Sequence, residues 1–398
     1  MASSFGFWLE KQDSFKNESL GINSELHINY WSLPDENIHY IDIGVKLHNV
    51  LTDTQLSSKI TGVYLYLPFE KKHIKYDGEL GNIVCKDSEL LSAIFNSYVT
   101  GTSYVAGSGI YKITLPGGKD MNFFTQIDEE NGDGESGVQI GELKDKREIG
   151  VKLFFPIKLF ARAINEDIPT YFRFRIKLLN ENALNRISNI TKAKVPTLFG
   201  DFSKIEVIDF RINEARNLPY KIREKIIDFE SINVIHFFLI REAISEFKVS
   251  HSNYERCRVL ETELWDKYLD IDNTKSQKLI YHWKQKTSGN LTKDELLEKN
   301  LKGDRADLFI NHFSAFAKFS SSTIPRKAII IAVVFSILIG VASGLATNTL
   351  WEYAKPSTTN GLLPIDDEGK SCDVNKPAKL SPQFTCGMYW PLVDKTGN

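Results

Sequence analysis

The sequence lacks nearly every motif from which a catalytic centre is usually read. It contains no HExxH pair, no GxSxG elbow, no kinase signature set and no Cys/His nucleophile pair with supporting context. Leu115-Pro-Gly-Gly-Lys119 has neither the P-loop frame nor a following Ser or Thr, so it reads as a turn. Asp128-Glu-Glu-Asn-Gly-Asp-Gly-Glu135 misses the EF-hand register and reads as an acidic hairpin loop. The eight His are scattered, and the four Cys never stand at ligand spacing, which argues against a zinc site and leaves the expected metal and cofactor set empty. Charge of one sign is missing as well. Lys and Arg number 49 against 51 Asp and Glu, so no global field points to nucleic acid or to an acidic surface. The first residues carry no basic region before an apolar run, which speaks against a signal peptide. No catalytic residue is assigned, and a non-enzymatic protein is expected.

Long apolar runs are absent too, with one exception. Ala328–Trp351 reads AIIIAVVFSILIGVASGLATNTLW, 24 residues without a charge, twelve of them Ile, Leu, Val or Phe. At about 1.5 Å per residue it spans roughly 36 Å, enough for a hydrocarbon core of about 30 Å. Lys318, Arg326 and Lys327 precede it and only Glu352 and Lys355 follow closely, so the positive-inside bias places residues 1–327 in the cytoplasm and 352–398 on the other side. Cys372 and Cys386 in that exported tail are expected to form a disulfide, worth about 3 kcal/mol in the chain-entropy model. Cys85 and Cys257 read as buried small hydrophobes.

Within the span, Gly340 and Gly344 have the spacing that lets two helix backbones approach, and Ser336, Gly340, Ser343 and Thr347 share a face. Self-association and a hydroxyl-lined pore are the two functional readings; ordinary membrane-helix composition is the alternative.

The soluble part divides by periodicity. Period-two or β-branched runs at Glu25–Tyr30, Tyr40–Leu47, Ile60–Leu67, Gly109–Leu115, Asn122–Ile127, Gly150–Phe155, Tyr171–Leu178 and Lys204–Phe210 predict a β-rich domain over residues 1–215. Short helices are expected at Ser88–Ser97 and Ile157–Ile164. Beyond Pro219 the spacing changes. Phe237, Ile240, Ile244 and Phe247 form a stripe that predicts a helix over Asn233–Lys248. Ser252 with Glu255 reads as a capping box for a helix to Leu269, Lys275–Lys286 reads as another, and Thr292 with Glu295 caps a short one. Residues 216–302 are therefore expected to be a helical connector. A juxtamembrane helix over 303–327 follows, with Phe309, Phe313 and Phe316 on one face of Asp304–Ser320. The fold class is α+β: β-rich N-terminal domain, helical connector, one C-terminal membrane helix.

Tyr171–Leu178 alternates strictly, facing Phe172, Phe174, Ile176 and Leu178 inward and setting Arg173, Arg175 and Lys177 in a row outside. Around it, residues 141–200 hold twelve Lys or Arg against six Asp or Glu. Such a row suits the phosphates of a nucleotide or short nucleic acid; the bland alternative is the solvated face of an edge strand.

This layout resembles the membrane effectors of bacterial anti-phage defence, the Hailong effector family in particular. What matches is the architecture: the β-rich region with its Arg173/Arg175/Lys177 row, the helical connector, and the Ser336/Gly340/Ser343/Thr347 span. The resemblance implies a ligand-binding cytoplasmic domain, an ion channel in the bacterial inner membrane and a homo-oligomer such as a tetramer. It also implies a nucleotide or single-stranded DNA ligand made by a partner nucleotidyltransferase. The competing readings are a non-conducting scaffold that tethers a cytoplasmic partner to the membrane, and a membrane-bound hydrolase.

Overall fold

Strand-forming alternation dominates the chain far beyond residue 215. In the computed structural model the described residues are 3–15, 22–48, 59–130, 134, 136–145, 148–163, 168–192, 203–227, 232–250, 253–271, 276–287, 309–322 and 326–354. They fall into two units, Met1–Arg326 and Lys327–Asn398.

The first unit is built from two sheets and a few short helices. Its strands are β1 (Ser4–Lys11), β2 (Asn23–Leu33), β3 (Ile38–His48), β4 (Ile60–Leu67), β5 (Ile74–Asp77), β6 (Gly101–Val105), β7 (Ile110–Leu115), β8 (Lys119–Phe124) and β9 (Gln139–Asp145). They continue with β10 (Glu148–Pro156), β11 (Thr170–Leu178), β12 (Ser188–Lys192), β13 (Ser203–Ile212), β14 (Val234–Glu242), β15 (Glu246–Ser250), β16 (Tyr254–Val259), β17 (Lys278–Lys286) and β18 (Phe313–Ser322). An eight-stranded sheet runs β15-β18-β13-β1-β4-β10-β9, with β12 beside β13. A ten-stranded sheet runs β16-β17-β14-β2-β3-β11-β8-β7-β6, with β5 beside β11.

The sheets meet face to face through aromatic pairs. Phe155 of β10 lies 4.9 Å from Phe172 of β11, and Phe210 of β13 lies 4.4 Å from Phe237 of β14. Alternation explains the choice of residues. Leu26, Ile28, Ile43, Val45, Phe172 and Phe174 point into this shared core, where all are buried. Truncating a ring such as Phe172 to Ala would cost about 3–5 kcal/mol.

The far face of the ten-stranded sheet is not open to solvent. Three short helices, α1 (Leu80–Cys85), α2 (Ser88–Phe95) and α5 (Thr262–Leu269), lay Leu80, Val84, Leu90, Leu91, Trp265 and Tyr268 over Trp31, Tyr171 and Ile240. Asp87 starts α2 by accepting from the backbone N–H groups of Glu89 and Leu90, at 2.9 and 3.2 Å. The two remaining short helices are α3 (Glu181–Leu184) and α4 (Tyr220–Ile227); α4 covers Trp8 and Tyr66 on the outer side of the other sheet.

The mixed α+β class holds, but the helical connector does not. Asn233–Lys248 is β14 and β15, Tyr254–Val259 is a strand that ends before α5, and Lys278–Lys286 is a strand. Central strands buried on both faces carry no clean alternation, so the apolar stripe of Phe237, Ile240, Ile244 and Phe247 mimicked a helix. Ile235, Phe237 and Leu239 in fact face the shared core, and Ile240 faces α5. The expected juxtamembrane helix is also a strand. β18 pairs with β13 from Ser203↔Ser322 to Ile212↔Phe313, burying Phe313, Ala315, Ala317 and Phe319 in alternation. Ile157–Ala163 is a 3-10 helix, and Cys257 is exposed whereas Cys85 is buried. The Thr292/Glu295 cap, the 352–398 tail beyond Ala354 and the Cys372/Cys386 pair lie outside the described residues.

The second unit contains one long helix, α6 (Arg326–Ala354), within which Ile329–Ala354 is long and apolar enough to cross a membrane. Twenty-six residues at about 1.5 Å each give roughly 39 Å, longer than a bilayer core. Its side chains from Ile329 onward are exposed, as a lipid-facing helix requires. Its hydroxyls are satisfied internally. Ser336 donates to the carbonyl of Ala332 (2.8 Å), Ser343 to that of Gly340 (3.0 Å) and Thr347 to that of Ser343 (2.8 Å). The small-residue stripe therefore does not by itself demand a partner helix or a water column.

Candidate functional site

The covered face of the ten-stranded sheet carries an unusual load of polar residues, and strand register fixes their order. One row reads Lys284–His236–His27–Gly44–Arg173 across β17, β14, β2, β3 and β11. The next, two residues along each strand, reads His282–Phe238–Asn29–Asp42–Arg175. On the opposite side of the first row, Glu25 stands against Lys46. The parallel pairing of β2 with β14 makes the junction, because it sets His27 beside His236 across more than two hundred residues of chain.

Arg173, Arg175 and Lys177 do not form a solvated row. β11 is an interior strand flanked by β3, β5 and β8, and α5 packs over it, so Arg173 and Arg175 are each only 3% exposed. Arg175 forms a two-pronged ion pair with fully buried Asp42, its Nε 2.6 Å from Oδ1 and its Nη2 3.1 Å from Oδ2. Trp31 Nε1 and the Tyr268 hydroxyl also donate to Asp42, each at 2.7 Å. The Arg175 guanidinium is sandwiched against Tyr40 and Tyr268, 4.7 and 5.0 Å from their ring centres. This residue belongs to the framework. Lys177, half-buried, pairs with Asp77 at 3.0 Å.

Lys177 borders a separate cavity; of the three, Arg173 alone reaches the one lined by Glu25, His27 and His236. Its Nε donates to the Tyr268 hydroxyl (2.9 Å) and its Nη1 to that of Tyr171 (3.2 Å), while its buried Nη2 has no hydrogen-bond partner. Gly44 makes room for this: a Cβ there would collide with the Tyr171 hydroxyl and come within 3.1 Å of Arg173 Nη1. The cavity measures about 250 Å³. Its walls hold five cations (Lys46, Arg173, Arg256, Arg258, Lys284) and two carboxylates (Glu25, Glu255), with Phe95, Leu115, Phe238, Trp265 and Ile280 as apolar wall. A second cavity of about 450 Å³ shares Glu25, Lys46, His236 and Lys284 with it and adds Lys286 and His48. The two form one groove with a basic lining.

At the centre of the groove, Glu25 Oε1 lies 2.9 Å from His27 Nε2 and 3.5 Å from His236 Nε2, and Lys46 Nζ lies 3.6 Å from Oε2. Behind these rings, His236 Nδ1 is 3.0 Å from His282 Nε2 and His27 Nδ1 is 3.4 Å from the Tyr171 hydroxyl. Burial would raise the Glu25 carboxyl, but the two histidines and Lys46 outweigh it and hold the group ionised, well below the usual range. Burial pushes His27 down, against the pull of Glu25. Burial and the neighbouring His236 push His282 down to about 3, so it stays neutral at physiological pH. The unpartnered Nη2 of Arg173 and the cations along the walls suit an anionic ligand held by charge-assisted hydrogen bonds.

Sequence reasoning missed all of this except Arg173. Glu25-x-His27 on a strand was the available signal, since alternation puts both on one face. The rest required β14 and β17 to be recognised as strands. The sequence matches no protein-family model, and no curated protein is similar to it.

Proposed function

We propose that this chain is a membrane-anchored sensor–effector whose soluble unit binds a phosphate-bearing signal in the basic groove. The observation that carries the reading is Arg173: a buried guanidinium with an unpartnered Nη2, in a cavity whose charged lining is five cations to two carboxylates. A group so placed is costly unless a ligand anion completes it. The apolar wall offers Phe238 and Trp265 to a base or sugar face, so a nucleotide or a short DNA oligomer is the ligand class.

The anchor is α6, the one helix among the described residues long and apolar enough to span a membrane. Arg326 and Lys327 on its N-terminal flank support a single-pass arrangement in the bacterial inner membrane with the groove in the cytoplasm. In this reading the ligand comes from a partner nucleotidyltransferase. The chain assembles as a homo-oligomer, a tetramer among the options, through Gly340 and Gly344. Their helices act as a ligand-gated pore in anti-phage defence, without catalytic chemistry. Depolarisation or dye entry on expression tests the pore. Intact membrane potential at full expression, with and without the ligand source, would leave the anchor and remove the channel. The internally satisfied hydroxyls of Ser336, Ser343 and Thr347 favour that second reading, a non-conducting scaffold holding a cytoplasmic partner at the membrane.

A further inference from the structure

We propose that Glu25, His27 and His236 bind a first-row divalent cation, Zn²⁺ foremost, through Glu25 Oε1 and the two Nε2 atoms. The proposal is independent of the phosphate ligand and concerns the same groove's floor.

Spacing makes the first argument. With metal–ligand bonds of about 2.0–2.1 Å at tetrahedral angles, neighbouring donor atoms stand roughly 3.3 Å apart. The two histidine nitrogens are 2.9 and 3.5 Å from the carboxylate oxygen, and all three donors lie within 4.8 Å of one another. All three residues line the cavity, which leaves a fourth position open to a water or a ligand oxygen. Two imidazoles and one carboxylate suit Zn²⁺ and its neighbours rather than Ca²⁺ or Mg²⁺.

Proton accounting makes the second argument. With a metal on His236 Nε2, its remaining ring proton sits on Nδ1 and donates to His282 Nε2, 3.0 Å away. His27 behaves likewise: metal on Nε2 puts its proton on Nδ1, facing the Tyr171 oxygen at 3.4 Å. Each metal-binding imidazole thus has an outer partner that fixes its tautomer, the usual accompaniment of such ligands. Lys46 approaches the other carboxylate oxygen, 3.6 Å from Oε2, and leaves Oε1 for the cation.

The test uses the full chain, purified in detergent without a polyhistidine tag or chelator, and adds the metal alone. One equivalent of Zn²⁺ per chain by elemental analysis, or tetrahedral Co²⁺ absorption saturating at one equivalent, is the expected result. His236→Asn and Glu25→Gln should abolish stoichiometric binding, and His282→Ala should weaken it by about 10–100-fold through loss of the outer partner. Saturating Zn²⁺ should raise the melting temperature of the wild type and not of His236→Asn. Absence of stoichiometric Zn²⁺ and Co²⁺ binding by the wild type overturns the site without reference to any variant. Binding that survives in His236→Asn and Glu25→Gln overturns it as well.

Discussion

Replacing Arg175 by Ala separates a framework residue from a ligand-binding one. On a solvated strand face the change would cost at most a few tenths of a kcal/mol. Here it strips a carboxylate of its two-pronged cationic partner while Asp42 stays fully buried, keeping the Trp31 and Tyr268 hydrogen bonds. Breaking a buried pair from one side costs about 3–5 kcal/mol. A unit running Met1–Arg326, at about 2.1 cal/mol/K per residue, has an unfolding entropy near ~0.7 kcal/mol/K. The melting temperature should therefore fall by roughly 4–7 °C. Thermal unfolding of the detergent-solubilised chain, followed by circular dichroism, reads this out. The pair also permits an internal control: Asp42→Asn with Arg175→Met should be less damaging than Arg175→Ala alone, because no charge is left uncompensated and an amide oxygen remains to accept from Trp31 and Tyr268. A drop under about 1 °C for Arg175→Ala would refute the buried ion pair and restore the outward-facing row.

Three further outcomes follow from the same geometry. Glu206 accepts from Ser188 Oγ and from Arg241 at 2.6 and 2.7 Å. Burial raises its carboxyl, but Arg241 and Ser188 prevail and hold it below the ordinary value. Its stabilising contribution is thus present above the unfolded carboxylate pKa and is lost as pH falls through the lower folded value. Between neutral pH and about pH 4, the wild type should lose more melting temperature than Glu206→Gln; parallel profiles would contradict this. Gly44→Ala should displace Tyr171, whose ring carbon a Cβ would meet at 2.7 Å, and destabilise by about 1–3 kcal/mol in thermal unfolding. In the membrane helix, Gly344→Ile should lower the oligomer mass in light scattering if Gly340 and Gly344 pack helices together. An unchanged mass would move assembly to the soluble unit.

The sequence revealed strands wherever one face differs from the other. Tyr171–Leu178 matches β11 closely, and Ile60–Leu67 matches β4 to the residue. It misled where both faces are buried: β14 and β17 bury Phe237 and Trp283 on one side and Ile240 and Ile280 on the other. β18 misled differently, since Phe309, Phe313 and Phe316 happen to fall at helical spacing while Ala315 and Ala317 give little alternation signal. Arg173 and Arg175 were correctly set opposite Phe172 and Phe174. Their burial under α5 was invisible, because Tyr268 and Trp265 come from a distant segment. The site suffered most, for the Glu25–His27–His236 group exists only through the parallel contact of β2 with β14.

The central claim is that the groove holds a phosphate-bearing ligand, and extraction of purified protein followed by binding at graded salt tests it most directly. A nucleotide or oligonucleotide should be released on denaturation. Its log affinity should fall with log salt, by about 0.7 per phosphate neutralised for a single strand. Arg258→Ala with Lys284→Ala, both on the groove wall and outside the Asp42 network, should flatten that slope by one to two phosphates. No released nucleotide and an affinity indifferent to salt in wild type and double variant alike would contradict the account.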